Sequence, residues 1–158
     1  MTTKAQLQAE NEALRAENER LRYDHLGMLT RQGGEIENER IEYTSARYLI
    51  AFDINYLKQM NDTLGQAAVD ELMKKSFALR HEDILFKFSV KSGDEKAIVT
   101  LGNPDGIIEH LTKSLEENGL SAIMAWEPLL PTDNLFVVCE RAMLRVYALK
   151  AQRGITSR

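Results

Sequence analysis

Leu7, Leu14, Leu21 and Met28 recur every seven residues at the start of the chain. So narrow an apolar seam suits a coiled coil better than a helix lying on its own domain, whose apolar stripe is wider. With these residues at the d positions, Asn11 and Asn18 fall at a, Glu10 and Glu17 at g, and Arg15 and Arg22 at e. In a parallel pair, Glu10 of one copy can face Arg15 of the other, and Glu17 can face Arg22. Asparagine at a favours two strands in register at some cost in stability. Residues 1–30 are therefore expected to form a dimerising coiled coil, with His25 at a further a position. A single amphipathic helix packed on the domain is the second reading. Only Lys4 precedes the seam, which excludes the basic helix of a DNA-binding zipper.

Residues 31–158 read as one domain. Gly33-Gly34 is expected to break the helical pattern, with a second helix over about 35–46. Tyr48–Phe52 is a continuous apolar run, as in a central strand buried on both faces. Helices are predicted over 55–64 and 67–79, the latter burying Val69, Leu72, Met73 and Phe77. Ile84, Phe86, Phe88 and Val90 alternate with polar or exposed positions, which predicts a strand. Lys91–Asp94 is its turn, and Lys96–Leu101 the returning partner. Asn103-Pro104 opens a helix, asparagine as cap and proline in the first turn. Ile108, Leu111 and Leu115 form its buried face, and Asn118-Gly119 ends it. Leu120–Trp126 is another strand, Pro128 and Pro131 bracket a loop, and Thr132 is placed to cap a final helix. The fold class is α/β (α+β), a ferredoxin-like βαββαβ sheet with an extra C-terminal helix. In that topology the first two strands run parallel with the third between them. Asp53 and Asp94 then become neighbours at one sheet edge.

Composition narrows the function classes. Twenty basic against twenty-four acidic residues give a net charge of −4, which argues against broad nucleic-acid binding. No apolar run reaches membrane-spanning length and no signal-peptide core precedes the helix. The single cysteine, Cys139, excludes a disulfide framework and fits a reducing compartment, so a cytoplasmic location is expected. Cys139 and Trp126 read as core residues, His81 and His110 as isolated. No zinc spacing, Walker loop or dinucleotide fingerprint occurs.

Two carboxylates at adjacent strand ends suit a hard cation. Magnesium takes a few carboxylates, waters and substrate phosphates. It can hold a triphosphate and activate an attacking hydroxyl. Lys58, one helical turn beyond Asp53, would add positive charge near phosphate, and Glu95 would join the metal shell or accept a proton. The alternative stays open, because Asp at a strand end and Gly-Asp in a hairpin are ordinary turn residues.

The stretch Phe52-Asp53-Ile54-Asn55-Tyr56-Leu57-Lys58-Gln59-Met60-Asn61-Asp62-Thr63-Leu64-Gly65, followed by Asp70, resembles the first block of the GGDEF family, the diguanylate cyclases. Ser92-Gly93-Asp94-Glu95-Lys96 resembles its namesake pentapeptide. Tyr23–Arg31 is similar to the family's opening motif, and Glu140-Arg141-Ala142-Met143 with Lys150 to its last helix. The resemblance spans about residues 23–154. It implies that two Mg-GTP-loaded subunits face each other and form cyclic di-GMP and pyrophosphate. It implies Asp53, Asp94 and the Ile54 carbonyl as ligands to Mg2+, and Glu95 as the catalytic acidic residue beside Asp94. Lys58 and Lys150 would meet phosphate, and Asn61 and Asp70 would read guanine. Arg80 and Asp83 fit the pattern of the family's inhibitory product site, at a longer spacing from the pentapeptide; a helix-end arginine and a turn aspartate are the alternative reading.

The chain departs from that pattern at Asn55, Val69, Ser92 and Lys96 and in a longer hairpin. Two functions follow from the resemblance. One is a homodimeric, zipper-held domain that binds GTP or cyclic di-GMP and condenses GTP. The other is a catalytically silent relative acting as a nucleotide sensor or as an adaptor for a protein partner.

Overall fold

A computed structural model describes residues 2–40, 47–90 and 95–155. In chain order the elements are α1 (Lys4–Arg22), α2 (Arg31–Arg40), β1 (Arg47–Ile54), α3 (Leu57–Leu64), α4 (Gln66–Phe77), β2 (Ile84–Ser89), β3 (Glu95–Leu101), α5 (Pro104–Glu117), β4 (Ala122–Leu129) and α6 (Leu135–Arg153). The strands form one sheet in the order β2-β3-β1-β4, with each neighbouring pair antiparallel. β1 and β2 are thus parallel with β3 between them, the ferredoxin-like arrangement expected from the element order.

β1 is central because its apolar run suits burial on both faces. Leu49, Ile50, Phe52 and Ile54 are all fully buried. Each contributes roughly 1.5–3 kcal/mol relative to exposure. Ile50, Phe52 and Ile54 face α4 and α5, meeting Val69, Met73, Phe77, Ile107, Leu111 and Leu115. Leu49 and Ala51 face α6, meeting Val138, Cys139, Ala142 and Val146. The core is therefore two apolar layers, one on each side of the sheet.

Helix ends follow their local chemistry. The Asn103 side chain accepts from Asp105 N at 2.9 Å, with Pro104 in the first turn. The Lys87 ammonium donates to the carbonyls of Phe77 and Leu79 where α4 stops. α6 closes in a Schellman arrangement: Gly154 lies at φ 65°, and Ile155 N donates to the Lys150 carbonyl at 3.0 Å.

Several elements differ from the sequence expectation. α1 stops at Arg22, so His25 and Met28 are not part of the seam; Leu26 and Met28 are buried in the domain instead. Leu7 and Leu14 stay 51% and 59% exposed, so the domain does not cover them, which removes the reading of a helix packed on its own domain for this part of α1. Gly33-Gly34 lies inside α2 rather than ending a helix. A Cβ on Gly34 would sit 2.9 Å from Phe88 Cγ, so close helix–sheet approach, not chain breaking, explains the glycine. Residues 35–40 of the helix expected over 35–46 lie within α2, and residues 41–46 are outside the described residues. Tyr56 takes a left-handed conformation at φ 56°, which delays α3 to Leu57. A register shift between Ile84 and Phe86 turns Ile84 to the opposite layer from Phe86 and Phe88. Pro128 sits within β4, tolerated because that strand is at the sheet edge. Asn134, not Thr132, caps the last helix, accepting from Phe136 N and Val137 N.

Gly34→Ala should destabilise the fold. Overpacking against Phe88 costs about 1–3 kcal/mol, against up to about 1 kcal/mol gained in helix propensity. A lowered urea midpoint is expected, and an unchanged or raised one would show that Phe88 gives way without cost.

Candidate functional site

The pairing of β1 with β3 places Asp53 opposite Glu95, on the face covered by α6. Asp94 and the rest of Lys91–Asp94 lie outside the described residues. The Val90 N–H donates to the Glu95 carbonyl at 3.1 Å, which closes the hairpin around four residues. Ahead of this turn β2 carries one register shift, between Ile84 and Phe86.

Asp53 is buried, 1% exposed, and its Oδ2 lies 3.1 Å from the Lys150 ammonium. The same ammonium donates to the Ile54 carbonyl at 3.2 Å. Lys150 is itself 5% exposed and belongs to the buried column Ala142, Val146, Lys150 at four-residue steps along α6. The side chain that resemblance implied for phosphate is thus bound to two of the three groups implied as metal ligands. Among the described residues no three acidic, histidine or cysteine side chains gather as a metal cluster. A divalent ion about 4 Å from the ammonium would meet a repulsion of roughly 8 kcal/mol at an effective dielectric near 20. The described donor set, as folded, does not fit Mg2+.

Asn55 is buried beside this site. Its Nδ2 donates to Ser121 Oγ at 3.0 Å and its backbone N–H to the Ser121 carbonyl at 2.8 Å. The amide side chain thus ties the end of β1 to the chain leading into β4, a donation that aspartate cannot make.

On the other side of Gly65, α3 and α4 carry the remaining candidates. Lys58 is exposed and Asp70 half-buried. Asn61 Oδ1 is buried with no hydrogen-bond partner among the described residues. His25 Nε2 lies 3.6 Å from Asp70 Oδ2, a neighbour that the heptad reading of His25 concealed. Arg80 and Asp83 stand before β2, at the opposite end of that strand from Glu95. Asp83 N donates to His81 Nδ1 at 3.0 Å, and the Asp83 carbonyl accepts from Leu101 N at 2.8 Å. His81 and His110 are not isolated: their rings are 6.2 Å apart.

Lys96, where the family has phenylalanine, is fully buried. Its ammonium donates to Ser89 Oγ at 2.8 Å and lies 3.6 Å from Asp24 Oδ2. The Ser89 hydroxyl donates to that same carboxylate oxygen. Asp24 Oδ1 accepts from Leu26 N and Met28 N, so the segment after α1 is folded around the carboxylate. The charge that looked hostile to the core is matched there, and sequence distance hid the pairing.

A cleft of about 490 Å³ opens between Glu95 and α6, with Arg31, Cys139, Met143 and Tyr147 among its walls. Burial first, and the Glu95 carboxylate second, push the Cys139 thiol up to about 12, with Arg31 opposing them. Trp126 meets Tyr48 edge to face at 5.4 Å, in keeping with a packing role. No described helix is long and apolar enough to cross a membrane.

No protein-family model and no curated protein sequence matches the chain. Solved structures do. Diguanylate cyclase SiaD from Pseudomonas aeruginosa, in complex with its activator SiaC, matches with TM-score 0.68 at 19% identity. That match covers 94% of this chain, which spans 65% of the SiaD chain. The coiled coil and GGDEF domain of DgcB from Caulobacter crescentus, in complex with c-di-GMP, matches with TM-score 0.67 at 21% identity. It covers 98% of this chain and 94% of that one. A microbial GGDEF domain described with cyclic di-GMP matches with TM-score 0.66 at 22% identity, covering 82% and 90%. The chain has the GGDEF-type fold.

Asp24→Asn should deprive the buried Lys96 ammonium of its carboxylate and cost about 3 kcal/mol in urea unfolding. Lys96→Met added to it should recover most of that loss, and a strictly additive pair would show that the two residues are not coupled. Cys139 should resist thiol alkylation at pH 8 in the native protein and react quickly in denaturant; fast labelling of the folded protein would contradict the buried, neutral thiol.

Proposed function

We propose that this chain is a guanine-nucleotide-responsive signalling domain, dimerised through α1 and binding GTP or cyclic di-GMP at the α3–α4 corner. The observation that carries the reading is the buried Asn61 Oδ1, an acceptor with no partner among the described residues, on the helix before the one that bears Asp70. A buried acceptor left unpaired is costly, and a ligand N–H removes the cost. Guanine carries adjacent N–H donors on one edge, which a carboxylate and an amide oxygen can accept together. Lys58, exposed one turn earlier, is within the same helix for a phosphate. Complexes of similarly folded domains with c-di-GMP support the choice of ligand, and the SiaD–SiaC complex supports a protein partner as a further input.

The exposed Leu7 and Leu14, spaced by a heptad on α1, favour pairing with a second copy. Condensation of two GTP molecules is the second reading, favoured by Asp53 and Glu95 facing each other across the β1–β3 pair. It requires Asp53 to be released from Lys150.

Calorimetry should detect GTP or cyclic di-GMP and discriminate against ATP. Asp70→Ala should weaken binding roughly tenfold or more, the size expected for a charged hydrogen bond. Silence with both guanine ligands would sink the nucleotide reading and leave the adaptor. Deleting residues 1–22 should give a monomer that still binds; if the protein releases pyrophosphate from GTP, that activity should disappear with the dimer.

A further inference from the structure

The end of β1 presents two oxygens to one cation: Asp53 Oδ2 and the Ile54 carbonyl, 3.1 Å and 3.2 Å from Lys150 Nζ. This pair, a carboxylate and a main-chain carbonyl, is a donor set of the kind hard divalent ions take. The ammonium reaches it from a rigid mount. Lys150 lies in the last turn of α6, where the helix dipole favours a cation. Its own carbonyl accepts from Ile155 N, and Ile155 packs on the core beyond the helix end. Val146, one turn back, and Met143, two turns back, are buried under the same face. The helix closure thus fixes the Lys150 backbone, and burial with the Asp53 and Ile54 contacts holds its side chain over the site.

We infer that the Lys150 ammonium is the resident counter-ion of this site and stands where a divalent cation would otherwise bind. Positive charge at the sheet edge is then supplied by the chain itself. An anionic ligand that reaches this edge meets an ammonium, and its binding is independent of free Mg2+. The inference concerns the cation position and stands apart from the guanine reading, because metal alone tests it.

The test is uptake of Mn2+, without nucleotide, by the full chain, followed by electron paramagnetic resonance and by thermal unfolding with and without the ion. The wild-type protein should leave Mn2+ free and unfold at the same temperature in both conditions. Lys150→Met removes the charge at similar length. It should unfold at a lower temperature without metal, bind Mn2+, and recover stability as Mn2+ is added. Adding Asp53→Asn to Lys150→Met should abolish that response. If Lys150→Met does not fold in the absence of metal, refolding it with Mn2+ should restore the native circular dichroism. Wild-type uptake of Mn2+ that is lost in Asp53→Asn would overturn the inference. So would a Lys150→Met protein that ignores the ion, whether folded or unfolded. Loss of guanine binding with these metal results intact would count against the proposed function alone.

Discussion

An ammonium withdrawn from water needs an anion or a set of acceptors beside it, and this fold meets that need twice at one end of its sheet. Lys96 lies next to Phe52 in the β1–β3 pairing and points into the layer under α4 and α5. Lys150 comes down from α6 on the opposite layer and meets Asp53, the next residue of β1. Removing either carboxylate would strand a buried charge, so the chain segments that supply them are bound to their positions. The segment after α1 is fixed by Asp24, and the last turn of α6 by Lys150. The sheet end that resembles a catalytic edge is thus also where the domain's termini are fastened to its centre.

That double use explains how the departures from the GGDEF pattern fit together. Lys96 in place of an aromatic residue is accommodated by Asp24 and Ser89, so the core stays closed. Asn55 in place of an acid donates to Ser121 and removes one negative charge from beside Asp53. Lys150 then neutralises Asp53. Together these side chains set a buried ammonium and a neutral amide beside Asp53, with Glu95 opposite it on β3. At the α3–α4 corner, by contrast, α3 buries no residue fully while α4 packs Val69, Met73 and Phe77 into the core.

The strands were legible because their signals were local. β1 reads as an unbroken apolar run, β3 as its partner, and Asn103-Pro104 marks the start of α5 within a residue. Topology alone brought the end of β1 beside the β2–β3 hairpin, where Asp53 lies opposite Glu95; the neighbour expected for it, Asp94, is outside the described residues. What sequence could not give were contacts between residues far apart. Gly33-Gly34 has the composition of a helix breaker, yet Phe88 arrives from β2 to make it a packing site. The heptad ran on to Met28 because its spacing persisted, while the buried environment of Leu26 and Met28 overrode it. Lys150 looked like a phosphate ligand because its partner lies 96 residues earlier. A trace of that pairing was present: the four-residue column Ala142, Val146, Lys150 puts a lysine on a face otherwise made of core residues.

Leu29 accepts from Ser89 N and donates to the Lys87 carbonyl, so it lies alongside β2 as a short parallel bridge. β2 is an outer strand of the sheet, and an outer strand with free backbone groups invites pairing with any other chain. The few residues between α1 and α2 occupy part of that edge. Leu29 thereby takes up backbone groups of β2 that would otherwise stand open to indiscriminate strand pairing.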